Sequence, residues 1–159
     1  MYRVCCAITI KSGHMLSKHP ERCKYPHGHS RRVELVLASP VLDDRDMVCD
    51  FKWVKLAVKD YLDQFDHALC VNVNDPILAT LDRERARLVV FDEGDPTTEL
   101  IAKRIFEHLN DRIHAGDTFT SGAGVTYAIG RQVRVERVRV GETPTSWAEY
   151  SAEGTTPQP

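Results

Sequence analysis

The stretch RQVRVERVRVG at 131–141 constrains the fold more than any other part of this chain. Charged residues alternate with valines there, and side chains two apart on a strand share a face. One face is apolar and the other wet, which is the pattern of an antiparallel sheet with water on one side. A parallel sheet covered on both faces would need a near-continuous apolar run instead. The rest of the chain must supply strands to pair with this one and something to cover its valines.

Residues 2–10, YRVCCAITI, are rich in β-branched and aromatic side chains and predict a strand. His29 to Ser39 predict a second, with Val33, Leu35 and Leu37 on one face and Glu34 and Val36 on the other. Gly13, Pro20, Pro26 and Gly28 make residues 11–28 a loop, and Pro40 with an acidic cluster makes 39–46 a turn. Phe51, Val54, Val58, Tyr61, Leu62 and Phe65 recur at helical spacing, with Asp50 placed as N-cap. A second helix is expected from Asp95-Pro96, burying Ile101, Ile105, Leu109 and Ile113 beside Ala102 and Phe106. Between the helices lie a short helix after Pro76 and a short strand at 87–91, RLVVF. HAGDTFTSGAG at 114–124 reads as a flexible loop, and 147–152 as a last strand. The order strand, strand, helix, helix, strand, strand gives an α+β fold, an antiparallel four-stranded sheet with two helices on one face. The expected domain is single, 1–152, with a flexible tail at 153–159.

Length and charge narrow the function classes. A chain of 159 residues suits one core without disulfide staples. Its 21 basic and 23 acidic residues argue against a broad nucleic-acid surface, and Glu136 offsets the arginines of the alternating strand. No apolar run approaches the roughly 20 residues of a membrane helix, and MYRVCCAITIKSGH lacks the pattern of a secretory signal. Five cysteines, two of them adjacent, make a poor disulfide framework and suit a reducing cytoplasm. Cys5, Cys6, Cys49 and Cys70 read as buried hydrophobes.

The chemistry gathers at His27-Gly28-His29, which opens the second strand. Residues i and i+2 project to one side, and a hairpin can bring His14 opposite the pair. Three imidazoles so arranged resemble a catalytic zinc site with its fourth position open, whereas an H-x-H alone is more often an ordinary loop pair. Cys23, between Arg22 and Lys24, is either a fourth ligand that closes the site or a thiol beside the metal. In Asp66-His67 a carboxylate can fix a histidine tautomer for acid/base work, or the pair is simply a helix end in water. Glu142 at the end of the alternating strand can accept two N–H donors from a heterocycle, or is solvated.

Together GHML (13–16), CKYPHGHS (23–30), MVCDFKWVK (47–55), FDHALCVN (65–72), PTTELIA (96–102) and VGETPTSWAEY (140–150) span most of the chain. In that order they resemble the 6-pyruvoyl-tetrahydropterin synthase / 6-carboxy-tetrahydropterin synthase family. The resemblance implies zinc (Zn2+) on His14, His27 and His29, with Cys23 as the proton-moving thiolate and Asp66 and His67 as its partner dyad. It implies Glu142 as anchor of a pterin ring, helped by the backbone of Thr97, Thr98 and Glu99. It also implies trimers that close their strands into a barrel, pair into hexamers and hold active sites between subunits. Lys18, Arg22 and Lys24 are candidate triphosphate contacts by proximity. Three residues between Cys23 and His27 match the bacterial carboxy-tetrahydropterin branch. The expected activity is conversion of dihydroneopterin triphosphate to 6-carboxy-tetrahydropterin with release of acetaldehyde and triphosphate, toward 7-deazapurines such as queuosine. A 6-pyruvoyl-tetrahydropterin synthase or a pterin side-chain aldolase is the runner-up, and a non-catalytic zinc or pterin-binding module is the alternative of another class. Departures are Ser12-Gly13 before the first histidine, Leu100 in place of a frequent asparagine, and long segments at 68–95 and 114–130.

Overall fold

The computed structural model describes residues 1–152, and the tail expected at 153–159 lies outside them. Its strands are β1 (Tyr2–His14), β2 (His27–Ser39), β3 (Leu69–Asn72), β4 (Leu88–Phe91), β5 (Phe119–Thr120), β6 (Thr126–Tyr127), β7 (Arg134–Thr143) and β8 (Ser146–Tyr150). The helices are α1 (Phe51–Phe65) and α2 (Thr98–Ala115), with single helical turns at Arg22–Lys24 and Pro76–Ala79.

Among the described residues the main sheet has six strands in the order β4-β3-β1-β2-β7-β8, two more than expected. The antiparallel four are β1, β2, β7 and β8. At the β1 edge the sheet is extended by β3 and β4, which run parallel to β1 and to each other. At 4 residues each, these strands are too short to show a two-residue period. The β1–β2 hairpin pairs continuously from Tyr2 opposite Ser39 to His14 opposite His27. That pairing carries β1 past Ile10, where the apolar pattern ends, because Lys11, Ser12 and Gly13 find partners in Ser30, His29 and Gly28.

The alternation in β7 slips once. Glu136 and Arg137 both stand between Val135 and Val138, and the ladder with β2 shifts register there, between Val36 and Leu37. Such a bulge keeps the valines on either side facing the helices. Glu136 is thereby set on the outer face, where it is buried under Arg3 at 2.8 Å and Arg137 at 3.1 Å.

Both helices cover the valine face. Val33, Leu35, Leu37, Val138 and Val140 from the sheet join Trp53, Val54, Val58, Leu62 and Phe65 of α1 and Ile101, Ile105, Leu109 and Ile113 of α2 in one core. The N-cap of α1 is Asp50, whose side chain accepts from Lys52 N. Phe51, expected in the stripe, is instead 46% exposed, and Trp53 takes the inward position of that first turn. Its indole N–H reaches the Asp117 carbonyl at 2.8 Å.

The start of α2 also differs from the local signal. Its N-cap is Thr97, because Asp95 is held elsewhere by Ser17 Oγ, Lys18 N and Asn72 Nδ2. The C-terminus closes on Gly116 at φ 68, a left-handed cap that glycine adopts without strain. The loop expected at 114–124 contains part of a small ladder of its own, β5 with β6. Cys6, Cys49 and Cys70 are buried, whereas Cys5 is exposed, since adjacent residues of a strand face opposite sides. Among the described residues no helix is long and apolar enough to cross a membrane.

Candidate metal and ligand site

At one end of the sheet, strand alternation turns Ser12 and His14 of β1 and His27, His29 and Arg31 of β2 to the helix side. The strands draw close there because Gly13 faces Gly28. A Cβ on Gly13 would come within 3.3 Å of the His27 carbonyl oxygen. The three imidazoles meet with ring centroids 4.5, 5.2 and 5.1 Å apart. The fourth member comes from the end of β7: Glu142 Oε1 lies 3.4 Å from His29 Nε2 and 3.8 Å from His14 Nε2.

Backbone carbonyls orient two of the rings. His14 Nδ1 donates to Pro96 O at 2.8 Å and His27 Nδ1 to Tyr25 O at 2.8 Å. A carbonyl only accepts, so Nδ1 carries the proton and the neutral ring turns the lone pair of Nε2 inward. His14 Nε2 and His29 Nε2 are buried and have no hydrogen-bond partner among the described residues. Orphaned acceptors converging with a carboxylate are what a divalent cation satisfies, and one donor atom from each of His14, His27, His29 and Glu142 lies within 4.8 Å of the others. The residues present therefore fit a zinc ion.

Burial pushes the pKa of His14 down to about 4, from 6.5. His29 is lowered as well, first by burial and then by the charge of Arg31. For Glu142 burial pushes upward, but the Thr98 hydroxyl, Arg31 and the two histidines outweigh it and hold the carboxyl below its ordinary range. The lowered His14 value makes stability depend on pH. Between 6.5 and about 4 the unfolded chain takes up a proton that the folded metal-free chain refuses, so the contribution is full above 6.5 and is lost as pH falls. Metal-free protein should lose on the order of 3 kcal/mol across that window. Urea melts at a series of pH values check this, and a flat profile would contradict it.

Thr98, the first residue of α2, is buried and donates from Oγ1 to Glu142 Oε2 at 2.7 Å. Thr97 is the cap, its hydroxyl accepting from Leu100 N at 3.4 Å, and Glu99 is exposed in the first turn. Asp66 and His67 follow α1 and are tied to the edge of β1. Asp66 Oδ1 accepts from Lys11 N at 2.7 Å, His67 N donates to Lys11 O at 2.6 Å, and Asp66 Oδ2 accepts from His67 Nδ1 at 2.8 Å. The Lys11 N–H and then His67 hold the Asp66 carboxyl below its ordinary value. His67 has φ 55, a strained left-handed backbone for a residue with a side chain, and these ties hold it.

His67 and His29 border one open cleft of about 570 Å³ together with Lys11, Ser30 and Arg87. Cys23 lines a separate hollow with His19, Arg22, Lys24 and Tyr25. Among the described residues Cys23 is not one of the four clustered donors; Glu142 is. Of the three cations named from sequence proximity, Lys18 binds Asp95 through its backbone N–H and Arg22 and Lys24 line the hollow of Cys23, while the cations lining the cleft are Lys11 and Arg87. Arg31 was overlooked, although its spacing from His29 is a signal: two residues on, it must share the buried face.

The family model described as 6-pyruvoyl tetrahydropterin synthase matches residues 3–153. The chain belongs to this family. A protein of Aquifex aeolicus named 6-carboxy-5,6,7,8-tetrahydropterin synthase is 34% identical over 140 residues, 86% of this chain and 80% of that protein. One of the same name from Haemophilus influenzae is 26% identical over 157 residues, 94% of this chain and 99% of that protein. Among solved structures, an uncharacterized protein from Wolinella succinogenes superposes with TM-score 0.71 at 23% identity, covering 96% of this chain and 98% of its own. A 6-pyruvoyl tetrahydropterin synthase from Plasmodium vivax superposes with TM-score 0.65 at 17% identity, covering 96% and 99%. These two likenesses bear on the fold, and they extend the family's two-helix, curled-sheet architecture across the chain.

Proposed function

We propose that this member of the family is a zinc-dependent lyase. It converts 7,8-dihydroneopterin triphosphate to 6-carboxy-5,6,7,8-tetrahydropterin with release of acetaldehyde and triphosphate, in the cytoplasm and toward 7-deazapurines such as queuosine. The observation that carries the reading is the meeting of His14, His27 and His29, the buried Nε2 atoms of His14 and His29 unpaired among the described residues, with a carboxylate held in place by Thr98. The name shared by the Aquifex and Haemophilus relatives supports 6-carboxy-5,6,7,8-tetrahydropterin as the product.

In this reading His14, His27 and His29 would hold zinc, which when bound would supply Lewis-acid polarisation of the substrate's side-chain oxygens. Glu142 accepts the paired N–H donors of the pterin ring, with the Thr97–Glu99 backbone beside it, and so holds the ring in register. Cys23 takes a carbon-bound proton, and His67, kept in one tautomer by Asp66, exchanges a proton on the other side. Lys11 and Arg87 meet the triphosphate at the cleft. The separate positions of Cys23 and His67 in one copy favour a homo-oligomer, trimers pairing to hexamers, in which neighbouring copies complete each site. The experiment is incubation of the zinc-loaded protein with dihydroneopterin triphosphate and product analysis by mass spectrometry. Carboxy-tetrahydropterin and acetaldehyde are expected. A 6-pyruvoyl product would transfer the assignment to the runner-up, and unconsumed substrate would remove it.

A further inference from the structure

Arg31 has 0% exposure, yet its partners are hydroxyls rather than a carboxylate. Its Nε donates to Ser12 Oγ at 3.0 Å and its Nη1 to Thr98 Oγ1 at 2.9 Å. Its Nη2 is buried without a partner among the described residues. A guanidinium in that condition costs stability, and an apolar side chain of similar volume usually serves a core as well or better. Packing therefore does not account for it.

The direction of its hydrogen bonds does. Arginine has donors and no acceptor, so Thr98 Oγ1 must accept from it. That leaves the single hydroxyl proton of Thr98 pointing to Glu142 Oε2, 2.7 Å away. Without the guanidinium the hydroxyl is free to turn, and the carboxylate loses a fixed donor. With it, the three groups form a chain in which each bond polarises the next. One oxygen of Glu142 is held by this chain, and the plane of the carboxylate is fixed beside His14 and His29. A ring that offers two coplanar N–H donors needs the carboxylate at one rotation.

From this arrangement we infer that Arg31 is a positioning residue, which sets the carboxylate of Glu142 for the ring through the hydroxyl of Thr98. The inference rests on the reading of Glu142 as a pterin anchor. Its test is a double-mutant cycle on the full chain with Arg31→Met, Thr98→Val and the pair. The readouts are fluorescence titration with 7,8-dihydroneopterin and steady-state kinetics with its triphosphate. Each single variant should weaken binding roughly 10- to 150-fold, the scale of a hydrogen bond to a charged group. KM should carry most of the loss, and the double variant should be no weaker than either single one. Thr98→Val keeps Arg31 and nearly the same volume, so it reads the chain even where Arg31→Met folds poorly. Unchanged binding in both single variants, or losses that simply multiply in the double, would overturn the inference. If the unaltered protein does not bind dihydroneopterin, the pterin reading falls and takes this one with it. If it binds and the variants bind equally, only the role of Arg31 falls.

Discussion

His29→Ala should lower zinc affinity by roughly 100- to 1,000-fold, one ligand's share of the roughly 10–16 kcal/mol that such sites provide. Turnover should fall with it. The geometry makes His29 the more informative ligand to remove. His14 is wholly buried and bonded to Pro96, so its loss would also disturb the sheet end and the approach to α2. The His29 side chain is 16% exposed and its Nε2 has no other partner, so its truncation subtracts a donor and little else. Two measurements separate these effects. Competition with a chromophoric chelator reads the affinity directly. Melts with and without zinc read the linkage: a ligand that binds only the folded state raises stability by mass action. The unaltered protein should gain a zinc-dependent rise in Tm that His29→Ala lacks, while the two metal-free proteins melt within a few degrees of each other. Full zinc binding by the variant would mean that the three imidazoles meet for another reason.

The parts of this fold that were legible in the sequence are those where a long period repeats. The stripe of α2 announced itself because more than ten residues obeyed one rule, and the valines of β7 did so despite one slip at Glu136 and Arg137 that the period alone does not express. Misreadings arose where a distant group outbid a local signal. Asp95 before a proline has the local chemistry of a cap, but Ser17, Lys18 and Asn72 claim its oxygens. Strand β4 stands where RLVVF predicts one, but β3 and the parallel pairing of both strands depend on an edge of β1 that no local pattern announces. The site divides the same way. His14, His27 and His29 could be foreseen as neighbours because a hairpin and a two-residue step suffice to join them. The approach of Glu142 to those rings and its link through Thr98 to Arg31 depend on β7 and α2 being laid against β2, which the sequence expresses only through the whole fold.

Cys23→Ala and His67→Ala should each keep zinc and lose turnover, and a mixture of the two should regain it. Neither residue belongs to the four clustered donors, so neither truncation subtracts a ligand. General acid or base groups typically supply roughly 100- to 10,000-fold in rate, which is the loss expected for each variant. In one copy Cys23 lines its own hollow, while His67 shares a cleft with His29. If the site draws its thiol from one copy and its Asp66–His67 pair from a neighbour, oligomers assembled at random from equal amounts of both variants contain some sites built from two intact contributions. Roughly a quarter of all sites would be so composed, by the statistics of a heterologous interface. Co-expression, or refolding of mixed chains, followed by the product assay reads this. Zinc content measured alongside distinguishes a lost proton carrier from a lost metal. Recovery well above the sum of the two parents requires that the residues act across an interface, because no rearrangement within a single copy can restore a side chain that this copy lacks. A mixture no more active than its parents would put the thiol and the dyad in the same copy. Undiminished turnover by Cys23→Ala alone would remove the thiol from the chemistry and leave the three histidines and Glu142 as a binding site.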